Sequence, residues 1–170
     1  MPFPGTGNKI NSAIVLCAAL FVVVLLIAAY FDPSILVLHV FEALPYLIGA
    51  GLCLRRKKFG YMLAGVSGGF WLWTASFLTT FVRNGFERVA MLVRTGAVDR
   101  VDILIAAPAA IFAAGLVLFS TLGYARLRNR SWKDLALLVG AIMIVPAFFV
   151  LIFAVFAPQY LGMFRGLWRR

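Results

Sequence analysis

The chain has 170 residues, of which 64% are hydrophobic and 13% charged, and its 16 Lys and Arg against 6 Asp and Glu leave a net charge of +10. Soluble domains run nearer to roughly 45–50% apolar and about 25% charged, and a chain this short has too much surface to hide such an excess in one core. Lipid is therefore the solvent for most of it, which excludes a secreted disulfide scaffold, a disordered chain and a cytosolic enzyme. The basic residues fall between apolar runs instead of forming a stripe, so nucleic acid is excluded as a partner.

A bilayer core about 30 Å thick needs roughly 20 apolar residues in a helix. The first run of that length is 10–31, which carries no charge. It exceeds the roughly 7–15 apolar residues of a signal peptide, so a retained helix is expected. Asp32-Pro33 then reads as an N-cap with proline at the first helical position, opening a second run, 34–54, interrupted by His39 and Glu42. The third run is 59–82. Asn84 and Glu87 have capping-box spacing, and Phe86, Val89, Ala90 and Val93 recur at helical intervals up to Gly96. That pattern predicts a short amphipathic helix over 85–95, lying in the headgroup plane between the third and fourth spans.

The fourth run is 101–123, with Asp99 and Asp102 at capping-box spacing before it. The fifth is 135–157, preceded by Ser131 and Asp134 at the same spacing. A tail, 158–170, mixes Tyr160, Phe164 and Trp168 with three arginines. Backbone groups in lipid must be satisfied within helices or a closed barrel, and the period-2 alternation of a barrel is absent. The fold class expected is an all-α integral membrane protein, a single domain of five transmembrane helices with one interfacial helix.

Small residues mark the faces where helices in lipid approach closely. Gly60, Ala64, Gly65, Ser67, Gly68 and Gly69 on the third run, and Ala106, Ala110 and Ala114 on the fourth, nominate these two for the bundle interior. The first and fifth, richer in Val, Leu, Ile and Phe, are expected to face lipid or a neighbouring subunit. Matching segments, Ala50-Gly51-Leu52-x-Leu54 and Ala114-Gly115-Leu116-x-Leu118, hint at a weak repeat.

Basic residues in short loops set orientation. Arg55, Arg56, Lys57 and Lys58 link the second and third runs, and Arg126, Arg128, Arg130 and Lys133 link the fourth and fifth; with Lys9 they place nine on one side against seven on the other. The N-terminus is therefore expected in the cytoplasm of a bacterial-type inner membrane and the C-terminus outside. Arg55, Arg56, Lys57, Lys58, Arg126, Arg128 and Arg130 are candidates for contact with anionic lipid headgroups.

Ionisable groups inside a membrane need a reason to be there. Glu42 lies about 12 Å along its helix from Ser34 at ~1.5 Å per residue. His39, the sole histidine, is three residues earlier on the same face, and Tyr46 continues the stripe four residues on. His39, Glu42 and Tyr46 form a candidate buried polar site, and Trp71 and Trp73 a candidate wall for a flat apolar ligand. A di-iron cluster is excluded within one chain for want of carboxylates and histidines, and no metal site is expected. No CxxC, phosphate loop or nucleophilic triad occurs, so no catalytic residue is nominated.

Two functions fit. The first is a non-catalytic accessory subunit that packs into a larger membrane complex, bioenergetic or photosynthetic, and binds lipid. The second is a small transporter, or a quinone- or proton-handling protein, built on His39 and Glu42. Bound lipid, quinone or pigment is compatible with either, and none is demanded by the sequence.

Overall fold

The computed structural model describes residues 6–127, 129–158 and 162, and among them all regular structure is helical. The order is α1 (Thr6–Phe31), a 3-10 turn (Pro33–Ile35), α2 (Leu36–Leu54), α3 (Lys58–Trp73) continued by a π-helical segment (Thr74–Leu78), α4 (Phe81–Thr95), α5 (Val101–Leu104), α6 (Ala106–Ala125) and α7 (Lys133–Phe156). Four stretches are long and apolar enough to cross a membrane: Lys9–Phe31, Pro33–Leu54, Val101–Ala125 and Lys133–Phe156. The third run, expected as one span over 59–82, departs from that pattern. Its α-helical part is 16 residues, short of the roughly 20 a bilayer demands, before the π segment widens it and the chain turns at Thr79–Thr80.

The punctuation around these helices follows the sequence in part. Asp32 does cap, its Oδ1 accepting from the Ser34 N–H at 3.1 Å and from the Ser34 hydroxyl at 2.6 Å, but it caps the 3-10 turn. Half of the Ser131/Asp134 box forms, with the Asp134 carboxylate accepting from the Ser131 N–H at 2.9 Å. The other two boxes do not form. Asn84 lies inside α4, which starts four residues earlier than expected, behind Thr80 in the left-handed region (φ 54°). Glu87 there pairs with Arg83 at 3.0 Å, one turn back. Asp99 and Asp102 instead pair with Arg88 and Arg100.

Close packing centres on α3, as the small residues suggest. A Cβ placed on Gly49 of α2 would lie 3.0 Å from the Ala64 Cβ, and one on Gly68 only 2.8 Å from the Ala113 carbonyl oxygen of α6. The α6 stripe is shifted from the expectation: Ala106, Ala110, Ala113, Leu116 and Ser120 are buried, while Ala114 is exposed. The placement of α1 is a correction too. It lies against α2 and α6, and Phe21 is fully buried with its ring 4.5 Å from Tyr46 and 5.2 Å from Trp71. A uniformly apolar helix suits a core as well as it suits lipid, so composition alone misassigned it. α7 is the least buried of the four long helices.

Both basic turns meet at one end of the bundle. Lys58 Nζ reaches both Asp134 oxygens, at 2.9 and 3.0 Å, and also donates to the Asn129 carbonyl. The Tyr124 hydroxyl donates to Asp134 at 2.9 Å, so one carboxylate ties α3, α6 and α7 together. The aromatic tail expected over 158–170 lies, beyond Pro158 and apart from Gly162, outside the described residues.

Candidate functional site: a polar-walled cavity at one end of the bundle

At the end opposite the basic turns the helices part around a cavity of about 410 Å³. Its floor is apolar, with Trp71 from α3, Ala109 from α6 and Phe149 from α7. Thr74, Ala75 and Leu78 of the π segment form one wall, and the start of α4 contributes Phe81. A π segment offsets the side chains that follow it by one residue, and such segments recur at functional sites. Here Thr74, Ala75 and Leu78 lie within the segment and line the cavity.

α2 supplies the chemistry. His39 Nδ1 lies 2.8 Å from Glu42 Oε2, so the i,i+3 couple predicted from spacing is made. Glu42 is 4% exposed, and both residues line the cavity. Asp32, Arg100 and Asp102 stand at the rim, where Arg100 grips Asp102 with two bonds, Nε to Oδ1 at 2.9 Å and Nη2 to Oδ2 at 2.5 Å. Among the described residues no group of three His, Cys, Asp or Glu side chains is arranged to hold a metal ion. Cys17 and Cys53 are free thiols, the second fully buried.

The other nominated residues divide. Tyr46 is buried beside the couple's helix face, yet its hydroxyl donates to the Ser67 carbonyl at 3.2 Å and not to Glu42. It joins α2 to α3 and does not line the cavity. Trp71, 7% exposed, does line it, but Trp73, 41% exposed, points outward against Phe70. The ligand wall expected from two tryptophans is thus one tryptophan with Phe149 opposite, because residues two apart on a helix cannot share a face.

Among the candidate headgroup contacts, Arg55, Arg56 and Lys57 lie exposed in the α2–α3 turn, and Arg126 and Arg130 in the α6–α7 connection. Lys58 is committed to Asp134 and Asn129 instead. Arg128 lies outside the described residues. Sequence reasoning missed Arg100, Asp102 and Phe149 as cavity residues. The i, i+3, i+4, i+7 recurrence of Trp71, Thr74, Ala75 and Leu78 carried a signal for the wall. No protein-family model matches the chain, and no curated protein and no solved structure matches it.

Proposed function

We propose that the chain is a five-span membrane protein that binds a small amphipathic molecule in the His39/Glu42 cavity, acting as a small transporter or proton-handling protein and not as an enzyme. The observation that carries this reading is the cavity of about 410 Å³, with an apolar floor and one buried imidazole–carboxyl couple on its wall. Binding sites are typically concave and mostly apolar, with a few polar groups that fix orientation.

The connections support a fifth crossing. The turn before α3 and the connection after α6 meet through Lys58 and Asp134, whereas Phe81 and Arg100 lie at the opposite end with the cavity. This arrangement supports reading Lys58–Leu78 as a fifth crossing between the two ends. α4 then lies along the membrane surface, with Gly85 seated on Ala106 and Ala107 and with Phe86 and Val93 (81% exposed) turned outward beside its arginines. The excess of basic residues around Arg55–Lys58 and Arg126–Lys133 puts that end in the cytoplasm of a bacterial-type inner membrane, against anionic headgroups.

Filling the cavity tests the reading. Ala109→Trp places a large ring on its floor. For the unaltered protein in mild detergent, a saturating ligand at about 100 times its Kd adds about 2.7 kcal/mol of stability. Among ring-bearing neutral, cationic and acidic compounds, at least one is expected to raise the unfolding midpoint of the parent and not that of the variant. A panel without effect, or an equal effect on both proteins, refutes a binding role.

A second reading, an accessory subunit of a larger bioenergetic complex, draws on the outer side of α7, where Met143 and Leu151 are well exposed. Copurification of a stoichiometric partner that is lost when Met143 and Leu151 are replaced by Ala, with the cavity variant unaffected, would favour it.

A further inference from the structure

We infer that the ligand of this cavity is an organic cation, taken up in exchange for a proton on the His39–Glu42 couple. The inference rests on the binding role proposed above and specifies its substrate class. The chain carries 16 basic side chains and only 6 acids, yet Asp32, Glu42 and Asp102, half of those acids, line this one cavity, and among the described residues Arg100 is the only Lys or Arg in its lining. Arg100 is already neutralised by its two bonds to Asp102. What remains is the Asp32 carboxylate at the rim and the Glu42 carboxyl within, in a protein that is elsewhere strongly positive.

Glu42 itself points to a cation. It is 4% exposed, it engages His39 through Oε2 at 2.8 Å, and its other oxygen has no hydrogen-bond partner among the described residues. A carboxyl group surrounded by apolar walls is costly unless its charge is met. A positively charged nitrogen against Oε1 meets it, and the aromatic rings of Trp71 and Phe149 line the same cavity. The volume and the apolar floor fit ring or alkyl substituents on that nitrogen, and among the described residues a bare metal ion finds no triad of ligands. An anionic amphipath finds two carboxylates and an arginine already spoken for.

The couple makes cation and proton alternatives. Whenever His39 carries a proton, that proton balances the Glu42 carboxylate across the 2.8 Å contact and the couple is neutral. A cation on the same carboxylate would face a second positive charge across low-dielectric walls, where repulsion is several times stronger than in water. His39, the more accessible of the two, with 14% of its side chain exposed against 6% for Glu42, gives its proton to water at the rim. One cation enters, one proton leaves, and the net charge is unchanged. The other charged groups facing the couple are Asp32 from the α1–α2 turn and Arg100 and Asp102 from around α5; the π segment and α7 contribute only Thr74, Phe149 and other uncharged side chains.

Benzyltrimethylammonium, whose charge is fixed, and neopentylbenzene, its neutral isostere, test the inference by equilibrium dialysis against the full chain in detergent. The cation is expected to bind at one site, at least tenfold more tightly than the isostere. Its affinity should rise as the pH is raised, with proton release approaching one per cation where His39 starts protonated. Glu42→Gln should weaken it tenfold or more, while His39→Gln should keep binding and abolish the pH dependence. Should Glu42→Gln fail to fold, the pH profile of the unaltered chain and a several-fold loss in Asp32→Asn decide. Equal affinity for the isostere, or cation binding that ignores pH, overturns the inference. Isostere binding that Ala109→Trp blocks would leave the cavity reading standing, whereas failure of both compounds to bind overturns the inference and leaves the binding role to the wider panel.

Discussion

Two adjacent glycines of α3 should respond in opposite directions to the same substitution. A methyl group on Gly68 would come 2.8 Å from the Ala113 carbonyl oxygen and 3.2 Å from the Leu116 Cβ, whereas on Gly69 its nearest neighbour would be the Val117 Cγ2 at 3.8 Å. Both positions are interior to the same helix, so both gain the roughly 0.5–1 kcal/mol that alanine holds over glycine there. Gly68→Ala must also push two backbones apart, since a carbonyl oxygen cannot swing away as a side chain does, and overpacking of this kind costs about 1–3 kcal/mol. The propensity gain cancels in the comparison. Gly68→Ala is therefore expected to be about 1–3 kcal/mol less stable than Gly69→Ala, roughly five- to 150-fold in the unfolding equilibrium. Reversible denaturation in mixed micelles, followed by helical circular dichroism, reads this difference. Gly140→Ala, with open space around it, is a third arm that should match Gly69→Ala. Equal stability of the Gly68 and Gly69 variants, or a reversed order, would mean that α3 and α6 are not in backbone contact at Ala113.

Two further substitutions probe the polar contacts. Tyr46→Phe removes the hydroxyl that donates to the Ser67 carbonyl; hydrogen bonds between membrane helices average about 0.6 kcal/mol, and a loss of that order should appear in the same denaturation assay without a change in ligand affinity. Asp134→Asn strips the charge that gathers Lys58, Tyr124 and Ser131, so its unfolding midpoint should fall clearly below that of Lys133→Gln, whose side chain is exposed one residue away. An unchanged midpoint in Asp134→Asn would show that the knot is dispensable.

Much of this architecture was readable from hydrophobic length alone. Four of the five apolar runs became long helices within a few residues of their expected bounds, because lipid leaves the backbone no other option. The His39–Glu42 couple was legible because i,i+3 spacing on a helix is local geometry. The interruption of the third run was not, since Thr74-Ala75-Ser76-Phe77-Leu78 contains no proline or glycine to mark a π segment. Arg100 and Asp102 read as helix-start residues, and only the fold carries them to the rim of the same cavity as Glu42. The burial of α1 escaped for a related reason: a helix with no polar side has no face that tells core from lipid.

The distribution of helix breaks explains why a cavity opens at one end and not at the other. At the basic end the chain reverses through short connections clasped by Asp134, and close contacts cinch the helices there: a Cβ on Gly60 would strike Leu52, and one on Gly123 would strike the Tyr61 ring. At the far end the regular helix fails several times, at the 3-10 turn Pro33–Ile35, at the π segment with the left-handed Thr80 behind it, and at the joint between α5 and α6 near Ile105. Each break redirects a helix that would otherwise continue in close packing, and each contributes lining residues: Ile35, Thr74 and Ile105. Backbone irregularity at membrane depth is tolerated where it is buried in protein or lines a cavity. The breaks and the couple at Glu42 therefore belong together: a tightly bound end holds the bundle, and a loosened end opens a cavity beside the buried Glu42.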